Sequence, residues 1–505
     1  MGLRIVILGL IMALGAPLAM GEDHDDKKTM TQREIPDPVS YQSDRSLRLD
    51  GRTIAYTVIA GETYLVDDET DQPKASIFST AYIKTNENDP RQRPVTFVFN
   101  GGPGSASLWL HMGAWGPKRI VTPSDATGAG APPYPVVDNA HSLLDVTDMV
   151  FIDPVGTGYS RALGEAEAKD FYGVAEDAES IAAFIKHWLS ENRRWNSPKF
   201  LAGESYGTTR AAAVTKELGG WDGVALNGVI LVSAILDFQT ARFGPGNDTA
   251  HLAFFPTMAA TAWHHGKVDQ SRWGGDLEAF ADDARDFAAD RLAPALIRGN
   301  TLLDGERRTI AAEMAAFLGV SADWILDTRL RVDPIRFRKE LLRDEGFHVG
   351  RFDSRYKGVD PDEAGERPTD DPSGYGIASA YVAALNDYFT RDLGVDLTRE
   401  YKVLTAGPIS NWNWDINGQG WPAYVNVAPW LGEGMRENKD FRVLLASGWY
   451  DLATPFFGAE MALQKNGMVP DRVEYTYYEA GHMMYLVEDE ARQLSEDVRA
   501  FIENR

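Results

Sequence analysis

The sequence predicts an α/β protein: a mostly parallel central sheet with helices on both faces and a helical lid insertion. Three observations carry this expectation. Short, wholly apolar strand-like runs recur along the chain. Between them lie segments whose apolar residues repeat at helical spacing. The alternation then stops over residues 240–405, where the text is helix-rich. Apolar strands alternating with amphipathic helices bury both faces of a parallel sheet.

Residues 1–21 read as a secretory signal: Arg4 supplies the positive start, Ile5 to Leu14 the apolar core, and Ala19 and Gly21 the small residues before a cut ahead of Glu22. The apolar run is shorter than the roughly 18–20 residues a membrane span needs, and Pro17 breaks it. Residues 22–45 are polar and read as a flexible tail. The first part of the core is expected over residues 46–239. It begins with SLRLDGRTIAYTVIAGETYLV, whose Asp50-Gly51 pair predicts a hairpin turn, and continues with ASIFSTAYIKT as the next strand. Val95–Phe99 and Met149–Asp153 are buried-type strands. Val174, Ala178, Ile181, Ile185 and Trp188 share a helical face. Lys199–Ala202 is a strand, Thr208–Leu218 a helix stopped by Gly219-Gly220, and GVILVSA another strand. After the expected lid at 240–405, the second part of the core, residues 406–505, holds the strands FRVLLASG and RVEYTYYEAG. It closes with a helix in which Val487, Ala491, Leu494, Val498 and Phe501 align.

Composition narrows the function. The 505 residues contain no cysteine, which excludes disulfides, a thiol nucleophile and thiolate metal sites. A formal charge of −24 argues against a nucleic-acid partner, because phosphate binding needs a basic surface. Asp360, Asp362 and Gly365 in the acidic loop faintly echo a calcium loop, but Ala364 occupies a ligand position, so the stretch reads as a solvated loop. No metal or organic cofactor is implied.

The chemistry concentrates around GESYG, residues 203–207, which satisfies G-x-S-x-G with a strand before it and a helix after it. That context is the nucleophile elbow, a tight turn that lifts Ser205 Oγ clear of the sheet. A serine hydroxyl needs a base. On this kind of sheet the triad order is serine, acid, histidine. Of nine histidines only His482, in YYEAGHMMYL, and the weaker candidate His348 lie beyond the middle of the expected lid. The acid is Asp451 in ASGWYDLATP, just after a strand, placed to orient His482 and stabilise its imidazolium. The Gly-rich run FNGGPGSAS follows an early strand, so the amides of Gly102 and Tyr206 are the expected oxyanion donors.

Together NGGPGSAS, DPVGTGYS, GESYG, GWYDLATP and AGHMMY, in that order over about residues 95–490, resemble the serine carboxypeptidase family, peptidase family S10, in a bacterial-type secreted form. LNGVILVSAILD is similar to that family's strand after the nucleophile helix. The resemblance implies an α/β-hydrolase fold with a lid, an acyl-enzyme mechanism, and release of C-terminal amino acids from peptides with a free C-terminus. It also assigns recognition of the substrate's terminal carboxylate to Glu204 and Asn100, with Glu204 donating a hydrogen bond as a protonated acid. The chain departs from the pattern at Ala114, where many members carry a further glutamate, and at Ser105, which replaces a disulfide-bonded cysteine of eukaryotic relatives. It also reads Gly207-Thr208-Thr209 after the tyrosine. Secretion or periplasmic residence follows from the signal. Two other readings stand beside this one: an esterase or acyltransferase using the same triad, and a non-catalytic binding protein on a hydrolase fold. Aminopeptidases with an HGGPG motif differ, since Asn100 replaces the histidine and they lack the Glu-Ser pair.

Overall fold

A computed structural model describes residues 35–504 apart from 88, 221 and 417–423. The expected signal and most of the expected tail lie outside the described residues.

The backbone organises around one large sheet. Its main strands, in chain order, are β1 (Ser40–Leu49), β2 (Arg52–Val66), β3 (Pro73–Lys84), β4 (Val95–Phe99), β5 (Asp148–Asp153), β6 (Lys199–Glu204), β7 (Gly228–Val232), β8 (Arg442–Gly448) and β9 (Val473–Tyr478), and the two-residue segment Arg161–Ala162 also pairs with β3. Their spatial order is β1-β2-β3-β5-β4-β6-β7-β8-β9. The first three strands are antiparallel, and β5 to β9 with β4 run parallel. Asp50 and Gly51, with φ of 47° and 76°, make the predicted two-residue turn between β1 and β2.

β1 begins at Ser40, inside the stretch expected to be a polar tail. It pairs with β2 over ten residues, from Ser40 opposite Gly61 to Leu49 opposite Arg52. An edge strand is held by backbone pairing, and its outward residues stay polar, so composition alone does not reveal it.

Alternation along the strands divides the core in two. Phe200 and Ala202 of β6, Ile230 and Val232 of β7, and Leu444 and Ala446 of β8 point to one face. There they meet α6 (Ile377–Asp387) and α7 (Glu488–Glu503) through residues such as Tyr381, Leu494 and Phe501. Leu201, Val229, Leu231, Val443 and Leu445 point to the other face, against α1 (Val174–Glu191) and α2 (Tyr206–Gly219).

Residues 240–405 contribute no strand to this sheet. Residues 254–349 supply most of a third core around α3 (Thr249–His264), α4 (Leu277–Phe287) and α5 (Asp304–Leu318), whereas Tyr356 and the buried apolar residues of 377–401, α6 included, join the first core. Trp449, Tyr450, Leu452 and Phe456, which flank the end of β8, pack into that third core. The helical block is thereby seated on the loop that carries Asp451. The acidic loop is less solvated than its composition predicts: Asp360 is buried, pairs with Lys339 at 2.6 Å, and accepts from Thr369 Oγ1 and the Asp362 amide.

Candidate active site

Asn100, Gly102, Glu204, Ser205, Tyr206, Asp451 and His482 all sit at or just past the C-terminal ends of the parallel strands, whereas His348 does not. Ser205 joins β6 to α2 with φ 61° and ψ −130°, a conformation costly for a residue with a side chain. Its amide is held by Val232 O at 3.0 Å, and its carbonyl accepts from the Thr208 amide at 2.9 Å. The turn is tight enough to dictate its glycines. A Cβ on Gly203 would meet the Thr208 amide nitrogen at 2.9 Å and the Gly207 carbonyl closer still.

Asp451 and His482 come together in a buried dyad. Asp451 Oδ2 lies 2.7 Å from His482 Nδ1. The same oxygen accepts from Thr454 Oγ1 at 2.7 Å, while Oδ1 accepts from the Ala453 and Thr454 amides at 2.8 and 3.0 Å. A carboxylate so fully engaged has one orientation. It fixes the imidazole so that Nδ1 is the protonated nitrogen and Nε2 is the free base. Burial alone would push the His482 pKa down. The charge and hydrogen bond of Asp451 outweigh it, Glu204 adds to them, and the net direction is up.

Ser233 ties the parts to one another. It follows β7, takes φ 50°, and donates its hydroxyl to His482 O at 2.6 Å, while its carbonyl lies 2.9 Å from Thr454 Oγ1. The neighbouring Val232 holds the elbow. The nucleophile, acid and base loops therefore hang from two consecutive residues at the end of β7.

The helical block adds a second clamp. Phe352 O accepts from the His482 amide at 2.6 Å, Asp353 Oδ2 accepts from the Gly481 amide at 3.2 Å, and the Phe352 ring lies 5.2 Å from the imidazole. Phe352 is nonetheless 39% exposed, so it forms part of the wall beside the base. His348, the weaker base candidate, is instead buried on the short strand Phe347–Val349 against the acidic loop, with Nε2 3.0 Å from Asp370 Oδ1. That engagement removes it from the constellation.

The Gly-rich run after β4 packs directly on the elbow. A Cβ on Gly101 would sit 2.7 Å from both Glu204 O and Gly207 N, and nearer still to the Tyr206 amide. Gly102 follows with φ 102°, a region open to glycine. Tyr206 opens α2, so its amide has no intrahelical acceptor. Trp412 and Trp414 both pack edge-on with its ring, with centroids 5.2 and 5.9 Å away, beside the elbow on the α2 side.

Glu204, the last residue of β6, is 4% exposed. Burial pushes its carboxyl up to about 7, and the positive form of His482 and a hydrogen bond from Tyr485 restrain the rise. Tyr485 Oη donates to Oε2 at 2.7 Å. Asn100, next to it at the end of β4, is buried. Its Oδ1 accepts from the Leu110 amide at 3.1 Å and its backbone carbonyl from Arg210. Its Nδ2 lies near enough to Glu204 to favour that charge slightly, yet reaches no acceptor at hydrogen-bonding geometry among the described residues. Sequence reasoning missed Ser233, Thr454, Phe352, Asp353 and Tyr485. Thr454, Tyr485 and Ser233 lie within the quoted stretches GWYDLATP, AGHMMY and LNGVILVSAILD, whereas no local signal marks Phe352 and Asp353.

A family model described as serine carboxypeptidase matches residues 67–241. That stretch contains NGGPGSAS, DPVGTGYS and GESYG, while Asp451 and His482 lie beyond it. Among curated proteins, the chain is 28% identical over 139 residues to serine carboxypeptidase-like 5 of Arabidopsis thaliana, covering 27% of this chain and 30% of that protein. It is 24% identical over 249 residues to serine carboxypeptidase-like 45 of the same plant, 47% of each. The matches thus span less than half the length of these relatives. Among solved structures, a prohormone-processing carboxypeptidase from Saccharomyces cerevisiae superposes with a TM-score of 0.54 at 15% identity, covering 94% of both chains. At that identity the likeness is one of fold, and it extends the α/β-hydrolase architecture over nearly the whole chain.

Proposed function

We propose that the protein is a secreted serine carboxypeptidase that removes C-terminal residues from peptides. One observation carries the reading. Directly beside the elbow serine lie a buried glutamate whose pKa stands near neutrality and a buried, unpartnered Asn100 amide group. A native protein rarely leaves such a donor unsatisfied, and a substrate carboxylate would satisfy both groups at once.

The chemistry runs on the triad. Ser205 Oγ attacks the scissile carbonyl carbon as its proton passes to His482 Nε2, and Asp451 stabilises the imidazolium. The carbonyl oxygen becomes an oxyanion that accepts from the amides of Gly102 and Tyr206. Collapse breaks the C–N bond, His482 gives the proton to the departing amine, and the terminal amino acid leaves. Water then attacks the acyl-Ser205 ester, with His482 again as base, and releases the shortened peptide. Protonated Glu204 and Asn100 Nδ2 hold the terminal carboxylate and so select for free C-termini. The signal-like residues 1–21 support export to the periplasm or exterior, and the absence of cysteine fits a bacterial-type form better than a disulfide-bonded one. The two curated relatives named above are plant proteins, so that last point rests on the sequence alone.

The deciding measurement compares a peptide ending in a free acid with its C-terminal amide at mildly acidic pH. The free acid should be cleaved far faster, one residue at a time. Equal turnover of the two would favour the esterase or acyltransferase reading, and no labelling of Ser205 by a fluorophosphonate would favour the non-catalytic one.

A further inference from the structure

We infer, resting on the carboxypeptidase reading, that Tyr485 is a positioning residue for Glu204, so that the terminal carboxylate is recognised by a glutamate–tyrosine pair rather than by the glutamate alone. The geometry points to this pair from two sides. Tyr485 is fully buried, and its hydroxyl donates to Glu204 Oε2 at 2.7 Å. The opposite wall is shaped to the ring: a Cβ on Gly113 would meet Tyr485 Cδ2 at 2.6 Å and Cε2 at 2.5 Å, and the Tyr381 hydroxyl from α6 as well. Gly113 precedes Ala114, and two consecutive small residues leave the space that Tyr485 and Tyr381 fill.

With Oε2 held by the phenol, the acid proton of Glu204 belongs on Oε1, the oxygen left to face a substrate carboxylate. A phenol and a second carboxyl would act in opposite directions on this glutamate. A neighbouring carboxylate raises a carboxyl pKa by like-charge repulsion, whereas a hydrogen-bond donor stabilises the charged form and lowers it. Tyr485 therefore caps the rise that burial imposes. The other groups facing Glu204 are His482, whose charge lowers the value, Asp451, which raises it, and the Asn100 amide. Tyr381, on α6, feels the glutamate's charge in turn.

The test reads the alkaline limb of kcat/KM for a free-acid peptide, whose position does not depend on how much activity a variant keeps. Tyr485→Phe removes the donor, so Glu204 should stay protonated further and the limb should move to higher pH by about one unit. Incorporating 3-fluorotyrosine at position 485 keeps the ring, makes the phenol a stronger donor, and should move the limb the other way. On a Glu204→Gln background the limb should be lost, with or without either change at position 485. The same shift should appear without turnover. In Ser205→Ala, proton uptake on binding a free-acid peptide, measured calorimetrically in buffers of different ionisation enthalpy, should reach half its maximum at a higher pH once Tyr485→Phe is added. A limb that Glu204→Gln abolishes but neither Tyr485 change moves would reduce Tyr485 to a packing role. A limb that survives Glu204→Gln would instead overturn the glutamate's part in recognition, and the pair with it.

Discussion

His482 and Glu204 are charge-coupled, and under the proposed mechanism substitutions of Ser205 and His482 should not behave independently. Ser205→Ala should cost several powers of ten in kcat for peptides, His482→Ala a similar amount, and the double variant little more, because triad members act as a unit. Single-turnover kinetics on folded protein would check this, and losses that multiply would dissociate the two. The coupling also shapes the pH profile. Under the proposed mechanism peptide cleavage needs His482 neutral and Glu204 protonated, yet each one's charge stabilises the other's charged form. The active form thus shares its proton count with the inactive imidazolium–carboxylate pair, and the limbs report the pair rather than either residue. Glu204 raises the His482 pKa, so Glu204→Gln should lower it. The acid limb for an ester without a carboxylate should then shift to lower pH. Thr454→Val, which strips one donor from Asp451 Oδ2, should reduce kcat roughly tenfold with little change in KM, since it loosens the base without touching substrate.

At the scale of elements, the site exists because the β4 loop, the β6–α2 elbow and the β7 end are pressed into contact. Gly101 is the point of closest approach. Gly101→Ala would push a methyl group into the Tyr206 amide and Glu204 carbonyl, backbone atoms that cannot swing aside. We expect a loss of about 2 kcal/mol or more in stability, together with collapse of activity. Gly244→Ala is the control, since nothing lies within 4 Å of its Cβ position and its φ is ordinary. Chemical denaturation of the two variants distinguishes local crowding from a general intolerance of alanine. The clamp from the helical block, through Phe352 and Asp353, means that part of the base's support comes from a segment far away in sequence.

Across the whole molecule, stability should carry an unusual pH dependence. Asp153, at the end of β5, is buried, accepts from the Ser107 amide and the Tyr401 hydroxyl, and is pushed by burial up to about 7. Its folded pKa lies above the unfolded value of about 3.9, so the folded state binds more protons between the two. Its stabilising contribution is complete below about pH 4 and is lost as pH rises through about 7. Glu204 acts in the same sense. Glu62 acts in the opposite one: burial would raise its carboxyl, but Arg161 and Arg399 hold it below the usual range, so its contribution is lost only in acid. We therefore expect Tm to climb as pH falls from about 8 to about 5. Asp153→Asn should flatten that slope, as scanning calorimetry across the range would show, and an unchanged slope would mean that Asp153 is ionised in the fold.

The individual strands of the sheet's parallel half, the strand–turn–helix elbow and the places of Asp451 and His482 just past strands were legible in the sequence because they are local, whereas the order of the strands across the sheet was not. Val95–Phe99 announces itself by unbroken apolarity, GESYG by its glycines, and Asp451 and His482 by lying just past strands. The edge strand β1 was not legible, since its outward residues are polar and its pairing is backbone chemistry. Nor was the burial of Asp360, because the Lys339 that neutralises it is distant in sequence. Within the site, tertiary structure alone decided which backbone atoms hold the histidine loop and what partners Glu204. Ser233, Phe352 and Tyr485 act across separations of 249, 130 and 281 residues from His482, His482 and Glu204 respectively. A motif carries the groups that react, because their spacing is fixed by a turn. The groups that hold them in place need only converge in space, and many sequences can deliver them there.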